Sequence, residues 1–109
     1  MSKWQNYFAT LGGSRVAVFS QKVGQVHGSV RDIMDTTLFL SPLGVPGLAE
    51  GDAMRVQFVD SKLKQLRFFV VVRRVLDNRI EVQMTGFEHN LSFFPLAELQ
   101  NYWEKHIEN

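Results

Sequence analysis

The sequence contains no cysteine, which excludes disulfide bonds, thiolate metal sites and a cysteine nucleophile. A cysteine-free chain suits a reducing compartment, so we expect a cytoplasmic location. No hydrophobic run approaches the roughly 20 residues that a membrane-spanning helix needs, and we expect no membrane span. The first residues, Met1 to Asn6, are too polar for a secretory signal.

Charge and proline are also limited, whereas phenylalanine is abundant. The formal net charge is +1, which by itself indicates no particular class of partner. The 109 residues are 45% hydrophobic and include nine phenylalanines. That composition is enough for one hydrophobic core, but a chain of this length does not provide two. We therefore expect one small folded unit rather than a disordered chain.

The charges are unevenly distributed along the sequence. Six basic residues stand against Asp77 between Lys62 and Arg79, and five acidic residues stand against Lys105 from Glu81 onward. One interpretation is two solvated faces of opposite sign. The alternative is an anion-binding pair of strands beside an acidic helix.

The first segment has the spacing of an amphipathic helix. Trp4, Tyr7, Phe8 and Leu11 lie at positions i, i+3, i+4 and i+7, which places them on one helix face. The glycines at 12 and 13 then predict the end of the helix. A helix this short is marginal alone, so its aromatic face must pack on something. We favour the chain's own barrel, and the alternative is a partner protein.

The central part of the sequence predicts β-structure. Six segments have the alternation or the β-branched and aromatic content of strands: residues 16–19, 26–33, 37–40, 54–59, 66–76 and 80–85. A loop rich in glycine and proline separates the third strand from the fourth. Six short sequential strands favour a mostly-β fold, namely a six-stranded antiparallel β-barrel. Residues 1–13 would form the N-terminal helix and linker, and residues 14–109 the barrel with a C-terminal helix.

The C-terminal helix is predicted from a hydrophobic stripe at helical spacing, formed by Leu96, Leu99, Trp103 and Ile107. Ser92 is a candidate N-cap, and Pro95 is acceptable in a first helical turn. We expect the stripe to pack on the barrel. The segment from Phe68 to Val72 is hydrophobic on both faces. One face would line the barrel interior, and packing of this helix on the other would explain why it is hydrophobic as well.

The sequence offers no recognisable catalytic motif. The three histidines, at 27, 89 and 106, lack the spacing of a metal site. The glycine-rich segment from Gly44 to Gly51 lacks the Lys-Ser or Lys-Thr that follows a phosphate-binding loop. We therefore expect no enzyme, no catalytic residue, no metal and no bound cofactor.

The order of these features resembles the PilZ family of bacterial cyclic di-GMP receptors. The segment Val30–Leu40 is similar to the strand–turn–strand that carries the family motif D/N-x-S-x-x-G. The segment Glu50–Val56 looks like the strand opening that follows in the family, and Ile80–Phe87 looks like its closing strand. The resemblance covers roughly residues 14 to 107 and implies a closed barrel with a role in motility, adhesion or biofilm signalling.

The chain departs from the family in the residues that hold the dinucleotide. The R-x-x-x-R motif is absent, since no two arginines are four positions apart. Asp32 matches the second motif, but Met34 replaces its serine and Thr37 replaces its glycine. The resemblance therefore assigns candidate ligand contacts only to Asp32 and, loosely, to Arg15, with Arg31 alongside.

The leading interpretation is a non-enzymatic signalling or adaptor module that acts through a protein partner and binds cyclic di-GMP weakly or not at all. The candidate partner surface is the face formed by Trp4, Tyr7, Phe8 and Leu11, or alternatively the C-terminal helix. One alternative is a cyclic di-GMP receptor that uses other arginines, for example Arg73 and Arg74. Another is a barrel that binds nucleic acid through the basic 62–79 hairpin, which we do not favour because its rings are expected to be buried.

Overall fold

A computed structural model describes residues 3–22, 24–41 and 47–107. Part of the predicted glycine-rich loop, residues 42–46, lies outside the described residues. Seven strands are described: β1 Arg15–Ser20, β2 Gly24–Met34, β3 Thr37–Ser41, β4 Ala53–Phe58, β5 Arg67–Val75, β6 Ile80–His89 and β7 Ser92–Pro95. The helical elements are α1 Lys3–Phe8, a 3-10 turn Leu96–Glu98, α2 Leu99–Tyr102 and a π-helical stretch Trp103–Ile107.

The strands form one antiparallel sheet in the order β3-β2-β1-β4-β5-β6-β7. An additional pairing between β3 and β6 closes the first six of these strands into a barrel. This confirms the predicted six-stranded antiparallel β-barrel flanked by a short N-terminal helix and a C-terminal helix. The seventh strand, β7, extends the sheet beyond β6 and was not predicted.

Alternation along the strands places the core inside the barrel. In β4, Met54, Val56 and Phe58 are buried, whereas Arg55 and Gln57 between them are exposed and half-buried, respectively. Successive side chains of a strand point to opposite faces, so hydrophobic residues at every second position line one interior. The pattern that predicted the strand therefore also identifies the core face.

The N-terminal helix packs on this core. Trp4, Phe8 and Leu11 are 7%, 1% and 6% exposed. The ring of Phe8 meets that of Phe58 edge to face, with centroids 5.6 Å apart. The aromatic face thus docks on the chain's own barrel, the alternative that the sequence favoured.

The predicted start of the C-terminal helix is wrong. Ser92 is no helix cap, because residues 92–95 form β7 and pair with residues 86–89 of β6. Pro95 has extended backbone angles, and the helical segment begins one residue later at Leu96. The physical reason is that β6 continues to His89, and a tight turn then returns the chain along it.

On the outer face of β5, Phe69 packs against β7. The ring of Phe69 meets that of Phe93 with centroids 4.8 Å apart. The helical segment lies elsewhere on the barrel, where Tyr102 packs against Phe87 and Trp103 against Tyr7. None of the helices in the described part of the chain is long and hydrophobic enough to cross a membrane.

Candidate functional site

The three predicted ligand residues lie near one another on β1 and β2, since Arg15 is the register partner of Ser29, two positions before Arg31, but their side chains make different contacts. Arg15 lies at the start of β1, and its guanidinium donates a hydrogen bond of 2.7 Å to the carboxylate of Asp60. This hydrogen bond raises the pKa of Arg15. Its charge is therefore matched by a loop carboxylate from the β4–β5 connection.

Arg31 lies at a β-bulge, where it is the extra residue between Val30 and Asp32 of β2. Its exposed side chain borders an open depression of about 580 Å³ beside the β5–β6 hairpin tip, near Asp77 and Arg79. The Asp32 carboxylate accepts the backbone N–H of Ile33 at 2.8 Å, a local bond that suits a turn or bulge. Arg31 is therefore available to an anion, whereas Asp32 is engaged locally.

The predicted partner face is mostly unavailable to a partner. Trp4, Phe8 and Leu11 are buried, and only Tyr7 is half-exposed. The Tyr7 hydroxyl accepts the backbone N–H of Lys62 at 3.1 Å, and its ring packs against Trp103. These contacts assign the four residues to the attachment of α1 to the barrel, and the proposed function does not use them.

Two histidines lie close together, His89 at the C-terminal end of β6 and His106 in the C-terminal helical segment. His89 and His106 pack on Tyr102, with ring centroids 5.0 Å and 4.6 Å from the tyrosine ring. Burial raises the pKa of Tyr102. The described residues contain no group of three or more histidine, cysteine or acidic side chains placed to hold a metal ion. We therefore place no metal site here.

The turn between β6 and β7 has an unusual composition. Its two central residues, Asn90 and Leu91, have φ values of +50° and +67°. Positive φ at both central positions is typical of the type I′ turn of two-residue hairpins, where asparagine and glycine are preferred. Leucine is rare in this conformation because its Cβ crowds the backbone. Leu91 is nevertheless there, and its side chain is 93% exposed.

β7 is the only described strand that has a single neighbouring strand. In a two-residue hairpin the flanking residues, His89 and Ser92, exchange backbone hydrogen bonds, and the next pair, Glu88 and Phe93, does not. The N–H and C=O of Phe93 therefore point away from β6. Pro95 is at an equivalent position, where its missing N–H costs no bond to β6.

The side chains beside this edge are hydrophobic. Phe93 is 62% exposed and lies two positions beyond the exposed Leu91. On the barrel side, the ring of Phe93 lies over Gly86, where a Cβ in place of the glycine hydrogen would come within 3.1 Å of it. We call Leu91, Phe93 and the free backbone of β7 the β7 edge. It combines unpaired backbone groups with exposed hydrophobic side chains.

No family model, curated protein or solved structure matches this chain. The PilZ resemblance of the sequence therefore gains no support from relatives. The β7 edge was missed by the sequence reasoning because residues 92–95 were assigned to a helix start. The signal that could have found it is Asn90, a turn residue between Phe87 and the Phe93–Phe94 pair.

Proposed function

We propose that this chain is a PilZ-like, non-enzymatic signalling or adaptor module of the bacterial cytoplasm. It acts by binding an extended segment of a partner protein along the β7 edge. Cyclic di-GMP binds weakly or not at all. The single observation that carries the proposal is the β7 edge, a free strand flanked by exposed Leu91 and Phe93.

The edge suits an extended polypeptide for two reasons. An added strand gains affinity from main-chain hydrogen bonds, and the N–H and C=O of Phe93 supply one such pair. Side chains next to the edge supply specificity, and aromatic residues are frequent energetic centres of interfaces. Natural proteins protect a free edge with charges, with proline or by keeping the strand short. β7 is only four residues long and ends in Pro95, but the side chain displayed beside its free backbone is the phenylalanine at position 93.

The turn gives independent support. A left-handed leucine costs roughly 1–2 kcal/mol relative to its preferred conformations. An exposed leucine regains nothing from burial in the free protein. The left-handed conformation of Leu91 and its exposure in the free protein are both explained if a partner covers this side chain in the complex.

The nucleotide part of the proposal follows from the contacts that two of the three predicted ligand residues already make. A guanidinium pair grips a dinucleotide through charge-assisted bidentate hydrogen bonds. Arg15 is instead bonded to Asp60, and the Asp32 carboxylate to its neighbouring amide. Of the three, only Arg31 keeps a guanidinium without a described hydrogen bond, in an open depression that Arg79 and Asp77 also line, which supports weak binding at most.

Site-specific photocrosslinking tests the protein-partner proposal. A photoreactive phenylalanine analogue is introduced at position 93 or 91 in the cells that make the protein. The matched control is position 75. Val75 is 49% exposed and lies at the end of β5, beside Ile80 at the far end of β6 from the β6–β7 turn. We expect the same partner to be captured from positions 93 and 91 and not from 75. With that partner purified, Phe93→Ser should weaken binding by about tenfold or more, and Val75→Ser should not.

Two results would count against the proposal. One is no crosslinked protein from either position of the β7 edge. The other is equal capture from position 75, which would mean that the β7 edge has no special role. Equal affinity of Phe93→Ser and the unaltered chain would lead to the same conclusion.

A further inference from the structure

A row of three side chains crosses the outer face of the barrel. Phe19 of β1 is the register partner of Arg55 in β4, and Arg55 is the partner of Phe69 in β5. Cross-strand partners on one face are side-chain neighbours. The two rings therefore lie about 9–10 Å apart, two strand spacings, with the guanidinium between them. Both rings are half-buried rather than enclosed in the core.

Each ring in this row carries a guanidinium. The Arg55 guanidinium carbon lies 5.2 Å from the centroid of the Phe69 ring, and that of Arg67 lies 5.4 Å from the Phe19 ring. Cation–π contact of this kind favours one position of a long side chain over its many alternatives. The two cations are thus held on the barrel surface instead of sampling the solvent. We call Phe19, Arg55, Arg67 and Phe69 the arginine–phenylalanine face.

The hydrogen-bond donors of this face are unused. Across the described residues, neither Arg55 nor Arg67 makes a side-chain hydrogen bond. Arg55 forms a long ion pair with Glu88, at 4.0 Å between nitrogen and carboxylate oxygen, which is beyond hydrogen-bond range. Glu88 is also the register partner of Arg67. A guanidinium offers five N–H donors in a planar fork. The face therefore presents two oriented cations whose donors are not used in hydrogen bonds, with the Glu88 carboxylate beside them.

A cleft of about 710 Å³ adjoins the face. Phe19, Arg55 and Phe69 line it, together with Leu48 and Lys22. Lys22 is already paired with Asp52, at 2.9 Å, and this hydrogen bond lowers the pKa of Asp52. The cleft thus has hydrophobic walls, and its available positive charge comes from Arg55. Clefts of this volume accommodate groups the size of a nucleotide.

We propose that the arginine–phenylalanine face binds single-stranded nucleic acid. Phosphate oxygens accept hydrogen bonds from Arg55 and Arg67, and bases stack on the rings or on the outer side of the guanidinium planes. The site requires unpaired bases, since a duplex hides their faces. It adjoins the β7 edge where the rings of Phe69 and Phe93 meet at 4.8 Å. Arg55, Arg67 and Phe19 lie outside that edge, so variants of the two arginines test this proposal without altering the β7 edge.

The sequence had argued against nucleic acid because the rings of β5 were expected to be buried. Phe68 is indeed fully buried, but Phe69 is half-exposed on the outer face. In addition, not all basic residues between positions 62 and 79 are available to bind nucleic acid. Arg74, for example, is paired with Glu81 at 2.7 Å.

Fluorescence anisotropy of the full chain with a labelled ten-nucleotide thymidine DNA tests the proposal. A ten-nucleotide abasic strand with the same phosphates separates stacking from charge. We expect the thymidine strand to bind at least tenfold more tightly than the abasic strand. With two phosphate contacts, the logarithm of affinity should fall against the logarithm of salt with a slope of about −1.4.

Two variants and a matched control locate the site. Arg55→Gln and Arg67→Gln should each weaken binding about fivefold or more. Arg73→Gln removes an exposed arginine that has no hydrogen bond within the described residues, and it should change affinity less than twofold. Circular dichroism shows whether each variant keeps its fold. No binding at low salt, equal affinity for the abasic strand, or an equal loss in Arg73→Gln would each overturn the proposal.

Discussion

Phe8→Ala is expected to lower the free energy of unfolding by about 3–5 kcal/mol, the range for a phenylalanine truncated in a core. Phe8 is 1% exposed, and its ring contacts Phe58 at 5.6 Å and Phe68 at 6.1 Å between centroids. Truncation would leave a cavity beneath α1 that the rigid strands of the barrel cannot close. Urea denaturation followed by fluorescence measures the change.

Leu91→Ala is the matched control for this prediction. Its side chain is 93% exposed, so its removal should change the free energy of unfolding by about 0.5 kcal/mol or less. A loss in Phe8→Ala no larger than in Leu91→Ala would mean that α1 does not belong to the core. The aromatic face of the helix would then again be a candidate partner surface.

Gly86→Ala is expected to cause the second largest loss of stability among the variants proposed for this chain, after Phe8→Ala. A Cβ at position 86 would lie 2.7 Å from the backbone oxygen of Phe94 and 3.1 Å from the ring of Phe93. Because one obstacle is the backbone of β7, the added methyl group cannot be accommodated by a side-chain rotation alone. We expect the free energy of unfolding to fall by about 1–3 kcal/mol, as for other overpacked positions.

Gly12→Ala provides the control, since no atom lies within 4 Å of a Cβ built there. It should be neutral or slightly stabilising, because alanine restricts the unfolded chain more than glycine does. Thermal unfolding of both variants gives the comparison. If Gly86→Ala is as harmless as Gly12→Ala, then β7 does not lie this close to β6.

The barrel could be predicted because its strands follow a simple pattern. In β6, Ile80, Val82 and Met84 alternate with polar residues, and all three are buried. Such alternation has a direct physical cause in the pleat of the strand, and it is visible over a few neighbouring residues. The order of strands along the chain was therefore recoverable without knowledge of their pairing.

β7 could not be predicted for equally local reasons. A strand of four residues gives too few alternations to recognise, and Phe93 and Phe94 are hydrophobic on both faces. The turn before it contains Asn90 and Leu91 instead of the asparagine–glycine pair that marks a two-residue hairpin. The hydrophobic stripe that begins at Leu96 then extended the helix assignment backward to Ser92.

The candidate surfaces depended on information that is not local. Arg15 and Asp60 are 45 residues apart, and no pattern in the sequence indicates their ion pair. The arginine–phenylalanine face depends on the register of three strands, which sets Arg55 between Phe19 and Phe69. A shift of one residue in either pairing would turn these side chains to opposite faces.

The proposed function is tested most directly by hydrogen exchange at the amide of Phe93, measured in the free protein and in complex with the captured partner. If the partner adds a strand to the β7 edge, this amide becomes hydrogen-bonded, and its exchange should slow by roughly a hundredfold or more. The amide of Asn78, at the opposite hairpin tip, should exchange equally fast in both states. An unchanged rate at Phe93 in a fully formed complex would contradict the account.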